Sequence, residues 1–95
     1  MNIGNAIKEI RKEKRISRKN LASASGISVT ALYNIENDLS MPSANNLQRI
    51  RRALDVPMSY ILVFSVEDED VPEDKRVLFR QMFLMLKQFL LPKED

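Results

Sequence analysis

Apolar residues recur at helical spacing along nearly the whole of this chain. Ile3, Ala6, Ile7 and Ile10 lie on one face, with Lys8, Glu9, Arg11 and Lys12 on the other. That pattern predicts an amphipathic helix from Ile3 to about Lys14. Ser17 offers a side-chain cap for a second helix, placed by its pattern with Leu21 and Ala24 inward ahead of Gly26. A glycine there suits the left-handed residue that closes a helix. Ser28 caps a third helix with Leu32 and Ile35 inward, and Asn37-Asp38 ends it. Met41-Pro42 marks a loop, because proline drives the preceding residue out of helical geometry.

Ser43 caps a fourth helix carrying Leu47, Ile50, Ala53 and Leu54 on one face. Pro57 fits the first turn of a short fifth helix that ends near Phe64. Ser65 to Pro72 is acidic and a poor helix former. Pro72-Glu73-Asp74 then has the proline and carboxylates of a helix start, so a sixth helix is expected to run to about Leu91. No strand pattern, repeat or low-complexity tract interrupts this series. The fold class is all-α.

Two short helices joined around Gly26 form a helix-turn-helix in this reading. Ala22 is small because the two helices approach closely there, and Gly26 lacks a side chain because the turn requires positive φ. Such a unit leaves the outer face of its second helix protruding, shaped for the major groove of DNA. An ordinary helical hairpin with a glycine cap has the same spacing.

From Ile3 to Phe64 the chain resembles the Cro/CI-type (XRE-like) helix-turn-helix domains of bacterial and phage regulators. The resemblance is carried by Leu21-Ala22, Gly26-Ile27-Ser28, Leu32, Ile35-Glu36-Asn37 and Pro42, then Leu47, Ala53-Leu54-Asp55-Val56 and Tyr60-Ile61-Leu62. It implies a five-helix lambda-repressor-like DNA-binding domain over residues 1–64. Here an acidic joint (65–71) and an added C-terminal helix (72–95) follow it. Family members with arginine at the position of Arg11 often pair it with the glutamate at Glu36, so a structural ion pair between the first and third helices is implied. The sequence departs from the family at Asp38, where glycine is usual, and at Leu39, Ser40 and Met41, where basic residues are common. Aspartate tolerates left-handed geometry, but it sets a carboxylate close to the expected phosphates.

Composition sharpens the picture in two respects. Residues 1–65 hold ten Lys/Arg against five Asp/Glu, a net of +5, while residues 66–95 hold five against eight, a net of −3. An anionic partner is therefore expected for the first part only, although a solvated helical surface accounts for the basic cluster of Lys8–Lys19 as well. The chain has neither histidine nor cysteine. That removes the commonest general base, the commonest metal ligands and any disulfide. With no phosphate-cradling glycine loop either, a hydrolase is disfavoured, and no cofactor, metal or small-molecule effector is indicated. No secretory segment opens the chain and no apolar run reaches membrane-spanning length, so a cytoplasmic protein is the expectation.

With Leu32 and Ile35 inward, Val29, Thr30, Tyr33, Asn34 and Asn37 point outward. Asn34 suits bidentate pairing with adenine, and the methyls of Val29 and Thr30 suit thymine methyls. Arg18, at the second helix start where the family commonly contacts phosphate, is a candidate backbone anchor, with Ser28, Asn37 and Ser40 as neutral donors. In the sixth helix, Leu78, Met82, Met85 and Phe89 form one stripe and Phe79, Phe83, Leu86 and Leu90 another beside it. One stripe suffices to cover a small domain's core. Two predict a partner chain, and the expectation is a homodimer reading double-stranded DNA as a transcriptional regulator. The alternative is a protein-interaction module, such as an antitoxin whose last helix binds a partner protein.

Overall fold

The computed structural model describes residues 1–90, with side chains as far as Gln88. Six α-helices follow one another: α1 (Ile3–Glu13), α2 (Arg18–Ser25), α3 (Val29–Glu36), α4 (Ala44–Leu54), α5 (Met58–Ser65) and α6 (Arg76–Leu90). Short 3-10 turns at Asp68–Asp70 and Glu73–Lys75 lie between α5 and α6. Among the described residues there is no strand, and no helix is long and apolar enough to cross a membrane.

The helix starts are set by local chemistry. The side chains of Asn2, Ser17, Ser28 and Ser43 each accept a hydrogen bond from the backbone N–H three residues on, satisfying one orphan donor of the first turn. Gly26 closes α2 at φ 71°, and Asp38 follows α3 at φ 59°, the left-handed geometry its short polar side chain tolerates. Pro57 stands one residue earlier than expected. It is the cap of α5 rather than part of its first turn, because its ψ of 155° is extended.

In the core, α1 packs mainly on α5 and also on α3, while α2 packs on α4 and α3. Ile7, Ile10, Leu32, Ile50 and Ile61 have no exposed surface. Gly4 is what lets α1 close on α3: a Cβ there would sit 1.9 Å from the carbonyl oxygen of Ile35. Ala24 is exposed, contrary to the inward placement its spacing suggested. Leu21, Ala22 and Ser25 are the buried residues of α2. At 100° per residue their arc leaves Ala24 about 110° from its centre, so the close approach at Ala22 sets the rotation of the helix.

The acidic joint forms no α-helix but is tied down by local bonds. The Asp70 carboxylate accepts the backbone N–H of Glu67 at 2.8 Å, and the amino group of Met1 lies 2.7 Å from Asp70 and 2.9 Å from Glu67. The α-helix itself begins at Arg76, after the 3-10 turn closed by Lys75 N–H on the Pro72 carbonyl. The expected end of the sixth helix at Leu91 lies outside the described residues. A few contacts hold α6 to the rest. Phe83 meets Phe64 edge-on at 4.9 Å between centroids, Lys87 pairs with Glu13, and Arg80 reaches Asp68 at 2.7 Å.

Candidate nucleic-acid interface

The turn between α2 and α3 is short because backbone bonds close it from both sides. The N–H of Gly26 donates to the Ser23 carbonyl at 3.2 Å and that of Ile27 to the Ala22 carbonyl at 3.1 Å. Ala22, 1% exposed, occupies the crossing. Ser28 then caps α3, whose Leu32, Ile35 and Glu36 are buried. Seating that face inward turns the opposite one out. Val29 and Tyr33 are 46% and 47% exposed, and Thr30 is exposed beside them.

The polar candidates divide by how much of their hydrogen-bonding capacity remains. Asn34 is half-buried, and its side-chain amide forms no hydrogen bond among the described residues, whereas its carbonyl accepts the N–H groups of Leu39 and Ser40 at 2.8 and 3.3 Å. Asn37 already spends one amide hydrogen on the Tyr33 carbonyl at 2.9 Å, which makes it partly a C-terminal cap. The Ser28 oxygen accepts from Ala31 N–H at 3.0 Å and keeps its own proton to give. Ser40 is exposed, as are its apolar neighbours Leu39 and Met41.

Behind this face lies a charged cluster. Arg11 Nε donates to Glu36 Oε2 at 2.7 Å and Arg11 Nη2 to Glu36 Oε1 at 3.1 Å, while Arg11 Nη1 donates to the Ile16 carbonyl at 3.0 Å. The bidentate geometry matches the planar guanidinium fork to the carboxylate. The Glu36 side chain has no exposed surface and that of Arg11 only 10%. Arg18 is also part of the cluster: its Nε donates to Glu36 Oε1 at 3.0 Å, and its Cζ lies 5.1 Å from the centroid of the Tyr33 ring. Arg18, the expected phosphate anchor at the start of α2, is thus held by two contacts within the protein. No sequence signal pairs residues 18 and 36, because their meeting depends on how α2 crosses α3.

The residues expected to face a partner chain are divided by the structure. Phe79 and Phe83 are half-buried within their own chain. Phe83 sits against Phe64, and Phe79 stacks on Phe83 at 6.2 Å. Leu78, Met82, Met85 and Leu86 are 57%, 52%, 71% and 38% exposed, joined by Val77 and Leu84, which the stripes had omitted. The side chains of Phe89 and Leu90 lie outside the described residues.

The helix-turn-helix family profile matches residues 7–61. Three curated proteins share the region. One is named "Putative HTH-type transcriptional regulatory protein" in Methanocaldococcus jannaschii, 37% identical over 70 residues that cover 72% of this chain and 22% of that protein. The immunity repressor protein of Bacillus phage phi105 is 36% identical over 62 residues, 65% of this chain and 43% of the repressor. The ImmF control region 10 kDa protein of the same phage is 32% identical over 65 residues, 68% of this chain and 72% of that protein. The chain thus spans less than half the length of the first two relatives.

Proposed function

We propose, since this chain belongs to the Cro/CI-type (XRE-like) helix-turn-helix family, that it is a transcriptional regulator binding specific double-stranded DNA sites, with α3 in the major groove. The observation that carries this reading is the outer face of α3, where Val29, Thr30 and Tyr33 are exposed and Asn34 keeps an uncommitted amide. Val29 and Thr30 present methyl groups there that suit contact with thymine methyls. Arg18 and Ser28 stand at the starts of α2 and α3, where a free hydroxyl proton, guanidinium N–H groups and helix N-termini all favour phosphate oxygens. Asn37 and Ser40 are secondary donors in the loop beyond. Repressor names among the relatives support repression as the mode of action.

Replacing Asn34 by alanine is expected to cost about 1–3 kcal/mol of binding and to relax preference at one base pair. The wild-type affinity should fall linearly on a log–log plot as salt rises. Equal binding of all duplexes by the wild type would rule this function out.

A two-fold homodimer through α6 completes the proposal. One recognition helix reads only a few base pairs, whereas two held about 34 Å apart read half-sites one turn away from each other. The exposed arc of Leu78, Met82, Met85 and Leu86 supports a self-complementary contact. The same arc also suits capture of a different protein, the antitoxin-like alternative, which predicts a tight heteromeric complex on co-purification.

A further inference from the structure

We propose that Arg18, held by Glu36, is a positioning residue for sequence discrimination that fixes the ring of Tyr33 on the outer face of α3. This rests on the DNA-binding reading above and adds to it a specificity device spanning both helices of the motif.

One buried carboxylate holds two guanidinium groups here. Arg11 takes Glu36 Oε2 and shares Oε1, and its remaining terminal nitrogen is engaged by the Ile16 carbonyl. Arg11 is therefore consumed inside the protein. Arg18 gives Glu36 only its Nε, at 3.0 Å. Its two terminal amino groups donate to nothing among the described residues, and its side chain is 30% exposed. Two cations against one anion leave one positive charge in surplus, and the surplus sits at Arg18.

The Nε contact also fixes the plane of the Arg18 guanidinium, and that plane bears on Tyr33. At 5.1 Å from the ring centroid the cation is within the about 6 Å reach of a cation–π contact. An exposed tyrosine on a helix ordinarily samples several rotamers in water. Against a guanidinium anchored from behind, the Tyr33 ring is held in one direction before DNA arrives. Preorganisation of this kind favours the base pair that fits the fixed ring over those needing another rotamer. Lysine cannot substitute, because it keeps the charge but has neither an Nε donor on a planar fork nor a flat face to stack.

The experiment uses the full chain with Arg18→Lys, Tyr33→Leu and the double variant, which leave the Arg11–Glu36 pair in place. Affinities are measured on a preferred duplex and on its single-base-pair variants. Tyrosine ring resonances are followed without DNA. The expected result is that Arg18→Lys loses on the order of tenfold discrimination at the same base pair as Tyr33→Leu. The double variant loses no more there than Tyr33→Leu alone. Tyr33 ring resonances shift in Arg18→Lys while those of buried Tyr60 stay. Arg18→Met, which keeps much of the stem without the charge, is expected to lose the same discrimination and additional affinity at every site.

Uniform weakening of all duplexes by Arg18→Lys, additive losses in the double variant, or an unmoved Tyr33 ring would each overturn the coupling. In that case the DNA-binding reading would stand. A wild type without sequence preference would overturn both.

Discussion

The two ends of this chain carry similar apolar periodicity and use it differently. In the first sixty-five residues, α1, α2, α3, α4 and α5 all place side chains in one core, and Ile7, Ile10, Leu32, Ile50 and Ile61 are wholly enclosed. No described residue of α6 is buried. It is held by an aromatic edge contact and by polar latches, including Arg76 Nε to the Asp68 carbonyl at 2.8 Å. Periodicity thus yields a core only where other helices supply the facing surface. Where a single face is supplied, half of the pattern is used and the other half stays exposed. Stability should accordingly be concentrated in the first part, and perturbations of the two should differ in kind.

The largest loss of stability is expected at Glu36. Replacing it by alanine leaves Arg11 buried and Arg18 half-buried without their shared anion, and removing one member of a buried pair costs about 3–5 kcal/mol. In a double-mutant cycle on urea unfolding, Glu36→Ala and Arg11→Ala should be strongly non-additive; additive losses would mean the pair contributes no coupling. Gly4→Ala tests the same region through packing. The added methyl meets backbone rather than a movable side chain, so a loss of about 3 kcal/mol is expected in thermal unfolding. An unchanged midpoint would show that α1 and α3 can separate freely.

Truncation after Ser65 removes the Phe64–Phe83 edge contact, worth about 1 kcal/mol beyond the area it buries, together with the Lys87–Glu13 and Met1–Asp70 pairs, and should cost less than Glu36→Ala. Sedimentation should find the product folded and monomeric, with weaker operator binding than the full chain. A truncated protein that still dimerises would place the interface elsewhere.

The smallest effect concerns pH. The hydrogen bond from Arg80 holds the Asp68 carboxyl below its ordinary range, and the amino group of Met1 does the same for Asp70. A carboxyl depressed in the folded state adds stability that is present above its unfolded pKa of about 4. That stability is lost as pH falls through the lower folded value. Acidification below about pH 4 should therefore perturb the amide resonances of α6 and the joint before those of the core. Simultaneous loss of both would remove the distinction.

Much of the fold was legible because its signals are local. Ser17, Ser28 and Ser43 cap helices through bonds spanning three residues, and Gly26 takes the left-handed φ its place in the turn demanded. What escaped depends on distant surfaces. Ala24 and Leu21 are three residues apart and look equivalent, until the crossing at Ala22 turns one of them out. Gly4 resembles any glycine within a helix until the Ile35 carbonyl is seen against it. Arg18 carries no mark of Glu36 or Tyr33, and nothing in the spacing of Phe83 names Phe64 as its neighbour. Of the candidate interface, the outward face of α3 follows from helical period alone, but the support behind it does not.

Sequence-specific binding by a two-fold dimer is decided by selecting bound duplexes from a random pool with the full chain. Enrichment of two inverted half-sites about 10 base pairs apart centre to centre is expected, with preference at one base pair in each half-site weakened by Asn34→Ala. A pool that stays random after repeated rounds, with the protein folded, would contradict it.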